Sequence, residues 1–128
     1  VSEPFFLEPA EVVELHDEAL LRHGGAPGIR DLGGLISAVT APKNHRHYSS
    51  GDIYDLAAVL LIHLSRNHTF VDGNKRASAA SAIAFLALNG ILLETNEAIL
   101  EDATLRAAQG HIEEDALAEL LRSLPTLD

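Results

Sequence analysis

From the N-terminus onward, the apolar positions fall into stretches with helical spacing, separated by glycine, proline and polar punctuation. Val12, Val13, Leu15, Ala19 and Leu20 form one face of a first helix from Pro9 to about His23. Pro9 suits its first turn and Gly24-Gly25 ends it. "APGIRD", Ala26 to Asp31, reads as a turn, with Asp31 a candidate N-cap for a short helix running to about Ala41, before Pro42. Gly33 and Gly34 weaken its first turn. "PKNHRHYSSGD", Pro42 to Asp52, is then a long polar loop. Asp52 to about Arg66 is the third helix: Ile53, Leu56, Leu60 and Leu64 hold the helical period while Val59, Leu61 and Ile62 cover the other faces, which predicts a central, buried position. Asn74 to Asn89 is the fourth, apolar nearly all round and rich in small residues, with Asn89-Gly90 as its stop. "ILLET" is a short extended link. Asn96 to Gln109 carries Leu100, Ala103 and Ala107 on one face, and Glu113 to Leu124 carries Leu117, Leu120, Leu121 and Leu124. The expected class is all-α, a compact bundle of about six helices in a single domain over residues 1–128.

Composition narrows the function classes. A hydrophobic share of 47% marks a globule rather than a disordered segment. The longest apolar stretch, around Ala77 to Leu88, is too short for a bilayer, and no charged-then-apolar leader opens the chain. With no cysteine, disulfides and thiolate metal sites are excluded, which fits a cytoplasmic protein. A formal net charge of -10 disfavours direct nucleic-acid binding and anionic membranes. The basic residues are nevertheless clustered: Arg66, Lys75 and Arg76 lie around one short stretch, and Lys43 and Arg46 in the polar loop. A local cationic spot on an acidic protein suits a small anion such as a nucleotide phosphate; chance clustering on a solvated surface is the alternative. His45 and His47, without a nearby third ligand, make a weak metal site, and a loop that guides a substrate is the better use of that segment.

The stretch between the two most apolar helices is "NHTFVDGNKR", Asn67 to Arg76. Gly73-Asn74-Lys75-Arg76 opens the fourth helix, where unpaired N–H groups and the helix dipole favour an anion. Gly73 lets a phosphate approach the backbone. Lys75 and Arg76 are cations at the helix end they destabilise, which an anion-binding role explains and a structural role does not. Asp72 beside them suits Mg²⁺, and His68 is the natural general base near neutral pH. Each also has a plainer reading: His68 as a structural histidine, Asp72 as a helix cap.

"HTFVDGNKR" resembles the Fic/Doc signature, whose Fic form reads H-P-F-x-(D/E)-G-N-G-R. The match lies at His68, Phe70, Asp72, Gly73, Asn74 and Arg76, with Thr69 in place of the proline and Lys75 in place of the second glycine. That lysine points to the Doc branch, the death-on-curing toxins; "LHDEALLRHGGAPGIRD" (Leu15 to Asp31) and "FLALNG" also look like it. The resemblance implies the toxin of a toxin–antitoxin pair, a kinase that moves the ATP γ-phosphate to a threonine of elongation factor Tu and stops translation. It implies His68 as the base, Asp72 as the Mg²⁺ ligand, and Asn74, Lys75 and Arg76 as phosphate holders, with Gly73 giving backbone access. Phe70 would anchor the loop in the core, and Arg66 is a further phosphate candidate. Gly73 itself is closer to Fic than to those Doc proteins that carry alanine there. The internal inhibitory pattern of many Fic proteins, (S/T)-x-x-x-E-(G/N), has no match in this sequence, so the resemblance implies restraint by a helical tail of an antitoxin docked in a groove. A Fic-type AMP transferase and a catalytically silent antitoxin-binding module are the alternatives.

Overall fold

The computed structural model describes residues 3–48, 51–94 and 97–127. Among these residues there are six α-helices: α1 (Pro9–His23), α2 (Leu32–Tyr48), α3 (Ile53–Arg66), α4 (Asn74–Leu88), α5 (Glu97–Ala108) and α6 (Glu114–Ser123). Among the described residues no strand forms, and the extended pairings are two isolated antiparallel bridges, Ile29 with Phe70 and Leu93 with Thr126. The all-α class holds. Asn96, where the sequence puts the start of α5, lies outside the described residues.

The bundle is built around α3, which packs against α2, α4, α5 and α6. Leu56 to Ile62 are buried without interruption, as are Leu64 and Ser65, because this helix has apolar residues on every face and needs neighbours on every face. Its start is held by a reciprocal cap: the Asp55 N–H donates to Asp52 Oδ1 (3.0 Å) and the Asp52 N–H donates to Asp55 Oδ2 (2.8 Å). The Arg122 guanidinium of α6 grips the same Asp52 carboxylate with two bonds of 3.0 and 2.9 Å, joining the last helix to the start of the central one. The small residues of α4 (Ala77, Ser78, Ala79, Ser81 and Ala82) are buried and let it approach α1, α3 and α5 closely. Gly90, in the left-handed region at φ 89°, stops α4. The Ile91 N–H then donates to Leu86 O (2.8 Å) and the Gly90 N–H to Ala87 O (3.0 Å). The "ILLET" link pairs with the segment after α6: the Glu94 N–H donates to Pro125 O (2.7 Å) and the Leu127 N–H to Leu92 O (2.8 Å).

One expectation fails. α2 does not stop before Pro42 but continues through it to Tyr48, so most of the expected polar loop is helix; Ser49 and Ser50 lie outside the described residues. The reason is tertiary. Leu35, Ala38, Val39 and Pro42 are all buried, a spacing that makes one continuous stripe on the helix, and α2 packs against α3. Burial of that stripe offsets the hydrogen bond that a proline cannot donate, a defect of about 3 kcal/mol in an isolated helix. His45, Arg46 and His47 then occupy the last turn, where positive charge complements the helix dipole. Lys43 sits with its ammonium 5.8 Å from the Phe6 ring centroid. Among the described residues no three metal-ligating side chains come together. No helix among them is long and apolar enough to cross a membrane.

Leu60, only 1% exposed in the middle of α3, is the sharpest probe of this packing. Leu60→Ala is expected to cost about 2–5 kcal/mol of unfolding free energy in a denaturant titration. A loss well under about 1 kcal/mol would contradict a central α3.

Candidate active site

The chain leaves the buried α3 and enters the buried α4 through Asn67 to Gly73, and every backbone group on the way needs a partner or water. α3 closes at Asn67, whose N–H donates to His63 O (2.9 Å) and whose side-chain Nδ2 donates to Gly34 O of α2 (3.0 Å). His68 follows in the left-handed region at φ 49°. That is the position after a helix where glycine is favoured, and histidine occupies it at a cost of about 1–2 kcal/mol. The side chain is exposed, and among the described residues its ring has no hydrogen-bond partner. A strained, unpaired histidine at a helix break is better placed for chemistry than for packing.

The next residues turn inward. Thr69 and Phe70 are buried, and the "APGIRD" turn lies along them. The Arg30 and Asp31 N–H groups donate to Thr69 O (2.8 and 3.0 Å), and the Val71 N–H donates to Gly28 O (3.1 Å). Asp31 also caps α2 as expected, accepting from the Gly34 N–H (2.8 Å). Phe70 is held twice by one side chain: its N–H donates to Asn74 Oδ1 (2.8 Å), and Asn74 Nδ2 donates to its carbonyl (2.9 Å). Asn74, expected to hold phosphate, thus has both ends of its carboxamide committed to the loop.

Asp72 is exposed, and each of its carboxylate oxygens accepts a backbone bond: Oδ2 from the Ala26 N–H (3.1 Å) and Oδ1 from the Gly73 N–H (2.8 Å). These bonds, Ala26 first and Gly73 second, hold its carboxyl below the usual carboxylate range, with the charges of His16 and Arg76 adding to the shift. Gly73, at φ 78° and ψ 19°, starts α4 without a side-chain cap, so the first amides of the helix are left for another acceptor. The left-handed turn at Gly73 is what aims α4 away from the loop.

Beneath the loop lies His16 of α1, 1% exposed. Its ring stacks on Phe70 with centroids 3.7 Å apart and planes 4° from parallel, and its Nε2 is 2.7 Å from Asp72 O. The sequence reading does not single out His16. Its signal is a polar residue on the buried stripe of α1, between Val12 and Ala19.

His68, Asp72, Gly73, Asn74, Lys75 and Arg76 line one cleft of about 620 Å³, a size that suits a nucleotide. Its far wall comes from α5 and includes Glu101 and Asp102, which nothing in the periodicity of that helix marks out. Lys75 is exposed and, among the described residues, has no ion-pair partner. Arg76 faces Glu101, with Nε 3.5 Å from Oε1. Arg66 is not in this cleft. Its guanidinium donates to Glu113 Oε1 (2.9 Å) and Oε2 (3.3 Å), to Ala107 O (2.8 Å) and to Ile112 O (3.2 Å), clamping the end of α3 to the α5–α6 connection. Lys43 and Arg46, expected on a loop over the site, lie on the last part of α2 and do not line the cleft either.

The sequence profile described as Fic/DOC family matches residues 6–86, which contain α1 to α4 up to Leu86 and the whole loop. The chain is similar to "Protein kinase doc" of Escherichia phage P1, 35% identical over 122 residues that cover 92% of this chain and 94% of that protein. It is also similar to "Toxin Doc" of Mycolicibacterium smegmatis, 43% identical over 72 residues that cover 55% of each chain.

The pair of hydrogen bonds between Asn74 and Phe70 sets a test. Asn74→Ala leaves the Phe70 N–H and carbonyl without their partners and is expected to cost about 1–3 kcal/mol of stability in a denaturant titration. Unchanged stability would mean that the loop does not depend on that carboxamide.

Proposed function

Since this chain belongs to the Fic/DOC family, we propose that it is the toxin of a toxin–antitoxin pair and acts as a Doc-type protein kinase in the cytoplasm. Its substrates are ATP and a serine or threonine hydroxyl of a translation factor, with elongation factor Tu as the first candidate. The observation that carries the reading is the pairing of an exposed His68 with Lys75, both without a side-chain partner among the described residues, on one nucleotide-sized cleft. The name of the phage P1 relative, "Protein kinase doc", supports phosphoryl transfer, and that of the mycobacterial relative, "Toxin Doc", supports the toxin role.

The chemistry follows from the residues. His68 takes the proton of the acceptor hydroxyl, and the oxygen attacks the γ-phosphorus. The bond from that phosphorus to the β–γ bridging oxygen breaks, and ADP departs with the electron pair. Lys75 and Arg76, with the uncapped start of α4, face the charge that spreads over the phosphate oxygens. Asp72, Glu101 and Asp102 put three carboxylates against those two cations in the cleft wall, so the protein alone does not offset the charge of a triphosphate. Mg²⁺ fits that shortfall. Asp72 is exposed, its carboxyl is held below the usual carboxylate range, and each of its oxygens has capacity beyond its one backbone bond; among the described residues no three ligating side chains gather, so phosphate and water would supply the rest of the shell. One carboxylate completed by phosphate and water is this ion's usual protein site, and there it would neutralise phosphate charge.

Restraint by an antitoxin is part of the same reading. A second hollow of about 260 Å³ lies between α1, α4 and α5, with Leu15, Ala19, Ala79, Ala80 and Ile83 in its wall. Arg76 and Glu101 line both hollows. The apolar, small-residue wall suits the apolar face of a helical tail, and an occupant would lie next to the cation that faces the phosphates.

A specific feature keeps AMP transfer as the second reading: Gly73 matches the Fic signature and takes a left-handed turn at the helix start. Purified protein, Mg²⁺, elongation factor Tu and ATP labelled at the α- or the γ-phosphate separate the readings. Label from the γ-position is expected; label from the α-position would mean AMP transfer, and none from either would favour the silent module. His68→Gly gives a second check. It is expected to abolish transfer and to relieve growth arrest on expression, while raising stability by about 1 kcal/mol through the left-handed backbone. A stable His68→Gly protein that still transfers phosphate would remove His68 as the base.

A further inference from the structure

We propose that His16 is a positioning residue of the site: its Nε2–H holds the Asp72 carbonyl, fixes the Asp72–Gly73 peptide plane, and through it orients the Asp72 carboxylate. Asp72 O is an acceptor only, so the 2.7 Å contact requires the proton on Nε2. The same peptide presents its other end, the Gly73 N–H, to Asp72 Oδ1 at 2.8 Å. The bonds form a chain from His16 through the peptide to the carboxylate, and a carbonyl that accepts a bond makes its own N–H a better donor. Stacking on Phe70 keeps the imidazole in plane with the contact it makes. The fit is close: a β-carbon on Gly73 would lie 3.4 Å from His16 Nε2.

A buried histidine is often only a satisfied core residue. Here its bond spans 56 positions of sequence and ends on the peptide that sets both the Asp72 side chain and the left-handed start of α4. The other carboxylate oxygen is held by the Ala26 N–H, just beyond the end of α1, so α1 and the turn after it grip Asp72 from two directions. The ring's Nδ1 lies 3.8 Å from Asp17 Oδ1, and that aspartate is exposed. Among the described residues, the contact to Asp72 O is therefore the ring's one hydrogen bond into the site.

The inference rests on the kinase reading only for what Asp72 does; the orientation of the loop is testable without it. His16→Phe keeps the stack and loses the donor. His16→Gln returns an amide Nε2–H near the same place. In the protein alone, amide hydrogen exchange at Gly73 is expected to speed up at least 10-fold in His16→Phe while the α3 amides around Leu60 stay protected, and His16→Gln is expected to restore most of that protection. In the γ-phosphate assay, kcat is expected to fall roughly 10- to 100-fold with the KM for the target protein within a few-fold, because a shift of about 1 Å in a positioning group costs rate of this order. His16→Gln should recover most of it. Wild-type exchange at Gly73 together with wild-type kcat in a folded His16→Phe protein would overturn the proposal. If His16→Phe does not fold, His16→Met takes its place, and failure of both donorless variants to fold marks His16 as a core residue and overturns it equally. If the wild type transfers no phosphate, the kinase reading fails and the Gly73 exchange still decides the role of His16.

Discussion

The bond pair between the Asn74 carboxamide and the backbone of Phe70 is the contact on which the site depends. α3 and α4 are both buried, so the link between them must pass close to the core, where unpaired backbone groups are costly. Phe70 supplies the apolar anchor, and the first residue of α4 satisfies the two polar groups that come with it. With that knot tied, His68 on one side and Asp72 on the other are left at the surface, facing a common cleft. His16 closes the knot from below by stacking on the same phenylalanine.

The polar residues of the loop thereby divide into two kinds. Asn67, Asn74 and the Asp72 carbonyl are taken up by protein partners and hold the backbone. His68 and Lys75 are without side-chain partners among the described residues and remain available to a substrate. Arg76 stands between, its charge shared with Glu101 where the two hollows meet. The ion pair is half exposed and therefore weak, so breaking it costs little.

Much of the architecture is readable from the chain. The helical period, the Asp52 and Asp31 caps and the Asn89-Gly90 stop predict six helices and a buried α3, because these are local properties of backbone and side chain. Their one clear failure is Pro42. A local rule ends the helix there, but the stripe of Leu35, Ala38, Val39 and Pro42 has α3 to pack against, and that burial outweighs the missing hydrogen bond.

The motif likewise marks His68, Asp72, Lys75 and Arg76 in advance, since their chemistry and their nearness in sequence suffice to draw attention. What each side chain binds is another matter. Arg66 reads as one more phosphate ligand until Glu113, 47 positions away, takes its guanidinium. Asn74 reads as a phosphate donor until the loop folds back on it. His16 is one polar residue on an apolar stripe until Asp72, 56 positions later, comes within 2.7 Å. The sequence by itself determined the helices and the supply of reactive groups, because both follow from local chemistry. Only the tertiary structure decided which groups are consumed in holding the loop and which are left uncommitted on the cleft, because a hydrogen bond goes to whichever partner the packing of distant helices brings within reach.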